Sequence, residues 1–124
     1  MKATVLRLTR HEAGPDQLAA LKRAVARLMG VQEADLGLAV RQVSVTVLDV
    51  TDVVEMVKEA GVDVLEAVLP ISILAQALPL LEEMGVPVIR AVMDRELQPD
   101  GTAKFNFRGY ERLIRVIVEA EPLA

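Results

Sequence analysis

The sequence predicts an α/β fold built on a largely parallel sheet, and three observations support it. Strand-like and helix-like segments alternate along the chain, the helical segments close on glycines, and the interior is almost purely aliphatic. Of 124 residues, 52% are hydrophobic but only 2% aromatic, so Val, Leu, Ile, Ala and Met must form the core. Parallel strands covered on both faces require this kind of composition.

Each element follows from local pattern. Ala3 to Leu8 favours a strand, and Thr9 to Gly14 is a loop closed by Pro15-Asp16, a helix-entry signal. Leu18, Leu21, Val25 and Leu28 recur at spacings of three and four, which predicts an amphipathic helix over 17–29 ended by Gly30. Residues 31–41 fit neither pattern, whereas 42–48 alternate strictly and read as the second strand. Thr51 or Asp49 caps a short helix through Ala60, and capping explains the Asp49/Asp52 pair better than cation binding. Residues 63–69 form a third strand, 71–84 an apolar helix with a kink expected at Pro79, and 87–93 a fourth strand. A Pro-Asp-Gly turn at 99–101 precedes two edge strands, 104–107 and 111–119, joined near Gly109. Right-handed crossovers give the order 2-1-3-4. The expected architecture is a Rossmann-like or flavodoxin-like three-layer sandwich with C-terminal antiparallel edge strands.

Length points to one domain over 1–124. With no Cys, the chain has no disulfide, zinc ribbon or cysteine nucleophile. A formal charge of −4 disfavours bulk binding to duplex nucleic acid, and scarce rings disfavour a single-strand stacking platform. The apolar stretch 67–84 is interrupted by Ser72, Gln76, Glu82 and Glu83, and no targeting segment is evident. These features predict a soluble, cytoplasmic chain with no membrane partner.

In such sheets ligands bind at the carboxyl ends of the strands, where strand order reverses. Here that point lies between strands one and three, at the loops Thr9-Arg10-His11 and Leu69-Pro70-Ile71-Ser72. The fourth strand is expected to bring Asp94 and Arg95 alongside. Arg10 offers a planar cationic fork for phosphate, and His11 can shuttle a proton near neutral pH. Thr9 and Ser72 add hydroxyls, and helix-start amides attract anions. Such a site takes a nucleotide or another phosphorylated ligand. The plainer alternatives are a solvated Arg-His loop, Ser72 as a helix cap, and an Asp94–Arg95 ion pair. Dinucleotide, phosphate-loop, nucleophile-elbow and metal-cluster motifs are missing, so neither metal nor cofactor is expected.

Two short elements, Leu8-Thr9-Arg10-His11-Glu12-Ala13-Gly14 and Leu69-Pro70-Ile71-Ser72-Ile73-Leu74-Ala75, resemble the small CRISPR-associated Rossmann-like (ring-nuclease-like) proteins of type III systems. The resemblance implies an antiviral-defence protein that binds a cyclic oligoadenylate second messenger on the two-fold axis of a homodimer. It also implies, for members that act as ring nucleases, metal-free cleavage by attack of the ribose 2′-hydroxyl on the adjacent phosphodiester. Thr9 and Ser72 would then position the ring, Arg10 would stabilise charge on phosphate, and His11 would serve as general acid or base. Arg90 or Arg95 would supply a further cation. A non-catalytic phosphate-binding module and a structural, partner-binding protein are the alternatives.

Phe105, Phe107 and Tyr110 hold every ring of the chain. Their segment reads either as packing or as a dimer surface. In the 2-1-3-4 order these rings are expected to lie too far away to serve the crevice near His11.

Overall fold

The computed structural model describes residues 1–44 and 49–124. Strand β1 (Lys2–Leu8) leads to helix α1 (Pro15–Met29), a 3-10 turn (Glu33–Asp35) and β2 (Gly37–Val43). Helix α2 (Val50–Ala60), β3 (Val64–Ala67), α3 (Ile71–Glu83), β4 (Val88–Leu97) and β5 (Ala103–Leu113) follow. The sheet runs β2-β1-β3-β4-β5, with β1 to β4 parallel and β5 antiparallel to β4. The expected 2-1-3-4 order is therefore present, extended by one strand.

Period-two alternation on the central strands divides the core between two faces. Ala3 and Val5 of β1, Val64 of β3 and Ile89 of β4 pack beneath Leu21 and Val25 of α1. Leu6, Leu8, Leu65 and Val88 face the other way, against Val53 and Val57 of α2 and Leu74, Leu78 and Leu81 of α3. The result is three layers, one helix above the sheet and two below. Helix ends follow local chemistry. Gly30 closes α1 in the left-handed region at φ 66, where a side chain would be strained. Asp49, not Thr51, caps α2 by accepting the Asp52 N–H at 2.8 Å. Pro70 occupies the cap position of α3 and no side chain caps that helix, so Ser72 is not its cap; the helix runs on through Pro79.

Two strand expectations need correction. The second strand lies at Gly37–Val43, inside the stretch that fitted neither pattern, and overlaps the expected one only at Gln42 and Val43; Val45–Leu48 lie outside the described residues. β2 is an edge strand, mostly exposed or half-buried, so burial imposes little alternation on it. Its register comes instead from its start, where Gly37 N–H donates to Met1 O at 2.7 Å and the Met1 amino group donates to Asp35 O at 3.0 Å.

The second correction concerns the C-terminal segment. One continuous strand replaces the two expected, and 114–119 form none. Arg108 is the extra residue of a bulge opposite Val92/Met93, with Gly109 at φ 156 beside it. Pairing stops at Leu113 because its partner, Val88, is the first residue of β4. β4 runs on to Leu97, past the expected end at Met93. It pairs with β3 only at Val88 and Ile89, so the β4–β5 hairpin extends beyond the sheet as a two-stranded arm.

No helix among the described residues is long and apolar enough to cross a membrane.

Candidate functional site

The carboxyl end of the sheet is organised by a buried polar network. Arg7 of β1 and Glu66 of β3 stand opposite each other in register, each 2% exposed. A lone charge here would be very costly to desolvate, so the pair forms a fork-on-carboxylate contact. Arg7 Nε donates to Glu66 Oε1 at 3.0 Å and Nη2 donates to Oε2 at 3.1 Å. Gln42, beside Arg7 on β2, accepts from Arg7 Nη1 at 2.8 Å. On the far side Tyr110 of β5 reaches past β4 and donates its hydroxyl to Glu66 Oε1 at 2.7 Å, while Gln17 of α1 donates to that hydroxyl at 3.0 Å.

This network holds the loop after β1 by its backbone. Arg7 Nη1 donates to His11 O at 3.2 Å, and Gln42 Nε2 donates to Thr9 O at 3.2 Å. Thr9 Oγ1 accepts the His11 N–H at 3.2 Å, closing a small turn. Next to it, Val68 N–H donates to Leu8 O at 3.2 Å, so the chain leaves β3 alongside the exit of β1. Thr9 is buried, whereas the side chains of Arg10 and His11 lie exposed above it. Pro70 and Ser72 are exposed at the start of α3, where Pro70 O accepts from Ile73 and Leu74, and the Ser72 carbonyl accepts from Gln76.

Asp94 and Arg95 are not beside this edge. They sit five and six residues past Ile89 on the arm, roughly 16–20 Å along the strand. Asp94 pairs with Arg108, not with Arg95, and Arg95 stands opposite Phe105. A second correction concerns the rings. Tyr110 does serve this end of the sheet, three hydrogen bonds from the His11 carbonyl by way of Glu66 and Arg7. The bulge at Arg108 makes this possible by shifting the alternation, so that Phe107 and Tyr110 share a face, with ring centroids 5.4 Å apart.

The residues missed by reading the sequence are Arg7, Gln17, Gln42, Glu66 and Tyr110. A signal was present. Arg7 and Glu66 each stand among buried aliphatic neighbours of a central strand, one residue before its end. Opposite charges at equal depth on neighbouring buried strands predict each other.

Burial opposes the charge on Arg7, but hydrogen bonds and the charge of Glu66 outweigh it and hold the guanidinium above its ordinary range. Burial pushes the Tyr110 phenol well above the ordinary tyrosine value; donation from Gln17 opposes that shift and the Glu66 carboxylate reinforces it. The folded chain thus binds this proton more tightly than the unfolded chain does. The stability it contributes is complete below about pH 10, the ordinary value, and falls as pH climbs from there toward the folded value. As the chain has one Tyr and no Trp, absorbance titration reads this group alone. The midpoint should lie above the ordinary value in the native protein and return to it in urea, and Tyr110→Phe should abolish this component of alkaline destabilisation.

No group of three or more potential metal-ligating side chains occurs among the described residues. No family model and no curated protein matches the chain.

Proposed function

We propose that the chain is a phosphate-reading module that binds a cyclic oligoadenylate or a related nucleotide messenger at the carboxyl edge of its sheet. One observation carries the reading: a buried ion-pair network is spent on fixing the backbone of Thr9-Arg10-His11 at the strand-order switch point. A preorganised loop with an exposed guanidinium and imidazole suits a phosphodiester. The uncapped start of α3 after Pro70 adds the backbone N–H groups of Ile71 and Ser72 on the adjoining strand exit. Asp94 and Arg95, on the arm, have no part in the site as drawn from one chain.

If the ligand is cleaved, the ribose 2′-hydroxyl attacks the adjacent phosphorus. The 5′-oxygen leaves, and the products are a 2′,3′-cyclic phosphate and a 5′-hydroxyl. His11 takes the proton from the nucleophile or gives one to the leaving oxygen, and Arg10 offsets charge on the phosphoryl oxygens. The homodimer belongs to the same proposal, supported by the apolar face of the arm. A CRISPR-associated role rests on the resemblance of the two loop elements alone, and a cytoplasmic location is compatible with a chain that has no Cys.

Incubation with cyclic tetra- and hexa-adenylate, with and without EDTA, tests the reading. Binding is expected in both conditions, about tenfold weaker in Arg10→Ala. His11→Ala should bind but abolish any turnover. Ligand bound unchanged by the native protein would identify a non-catalytic module, and no binding by either ligand would overturn the proposal.

A further inference from the structure

A groove with a basic lining lies on the flank of the molecule, between α1 and the C-terminal strand, β5. Its volume is about 590 Å³, within the size range of small-molecule sites. Arg23 and Arg27 of α1 line one wall and Arg112 of β5 the other. A spacing of four residues puts Arg23 and Arg27 on one helix face, one turn apart. None of the three has an ion-pair partner among the described residues, although the chain carries a net charge of −4. The one acidic residue of the lining, Glu111, is paired with Arg90. Small Ala24 leaves room on the helix side, and Tyr110 closes the end nearest Glu66.

We infer that this groove binds a small molecule carrying adjacent phosphates on an apolar or aromatic body, of the nucleoside diphosphate class. Three arginines lining one concavity, none of them ion-paired among the described residues, favour an anion there. Two of them one helical turn apart match neighbouring phosphates, each able to take a bidentate contact. The half-apolar lining suits the remainder of such a ligand better than it suits a bare inorganic ion. Occupancy would also be felt at Tyr110, whose hydroxyl is bound to Glu66, the partner of Arg7.

ADP and inorganic pyrophosphate are the probes, with affinity read by calorimetry. Pyrophosphate does not absorb, so it can also be followed by emission of Tyr110, the single Tyr in a chain without Trp. ADP should bind more tightly than pyrophosphate, and pyrophosphate should change the Tyr110 emission. Arg23→Ala with Arg27→Ala, and separately Arg112→Ala, should each weaken ADP about tenfold or more. All three side chains are exposed, so the variants should fold as the native chain does. Lys58→Ala with Lys104→Ala removes two charges from elsewhere and should leave affinity unchanged. Equal loss in that control would show a general charge effect and overturn the site. Binding that survives the groove variants but is lost in Arg10→Ala would assign the ligand to the carboxyl edge and overturn the groove, while leaving the preceding proposal intact.

Discussion

Glu66→Ala is expected to lower folding stability by about 3–5 kcal/mol, the largest effect of any single substitution considered, because it leaves a buried guanidinium without its counter-charge. Arg7 is 2% exposed and cannot reach water without disturbing β1. Two of its hydrogen bonds end on Glu66, and the Tyr110 hydroxyl loses its acceptor at the same time. Urea unfolding of Glu66→Ala against the native chain measures the loss. Replacing both charges, Arg7→Met with Glu66→Leu, should recover part of it, since two apolar side chains carry no desolvation penalty. The double variant still lacks the Arg7 donor to the His11 carbonyl. It should therefore bind a cyclic oligoadenylate more weakly than its stability alone would suggest. If it binds as well as the native chain, the network serves stability only.

The second large effect is expected in oligomeric state. The arm has two unlike faces. One carries Arg90–Glu111, Asp94–Arg108 and a 3.1 Å hydrogen bond from Asn106 to Glu96. The other, continuing the face that lies under α1, carries Met93, Leu97, Phe105 and Phe107 around a single charge, Arg95, with Phe105 at 65% and Leu97 at 72% exposed. In the proposed homodimer this face is the association surface, which two-fold symmetry would present twice. Burying each large apolar side chain contributes about 1.5–3 kcal/mol. Phe105→Glu with Phe107→Glu should therefore raise the dimer dissociation constant at least about 100-fold and give a monomer in sedimentation. Phe107 also packs on Tyr110, so a modest stability loss will accompany the change. Phe105→Glu alone avoids that contact and should give the same change of mass. A native chain that sediments as a monomer would remove the homodimer.

The fold was legible where one cause acts alone. Leu21 and Val25 at helical spacing, glycines after α1 and α2, and aliphatic runs in β1, β3 and β4 each reflect a single local requirement. Legibility failed where tertiary context decides. β2 is a weakly buried edge strand, and its position depends on hydrogen bonds to Met1 that no periodicity encodes. The bulge at Arg108 fuses what read as two strands into one and brings Tyr110 onto the face of Glu66. The loop Thr9-Arg10-His11 was found from topology alone. Its support is not visible from the strand pattern of Ala3 to Leu8 alone, because the partner that a buried Arg7 demands lies on another strand. Asp94 and Arg95 were misplaced because β4 outruns β3, and strand length past the core leaves no apolar signature.

The most direct measurement of the central claim is amide chemical-shift mapping of the native chain during titration with cyclic tetra-adenylate. The account predicts changes centred on Thr9, Arg10, His11, Ile71 and Ser72, displaced to roughly tenfold higher ligand concentration in Arg10→Ala. A titration that leaves these amides unmoved, or moves only others, contradicts it.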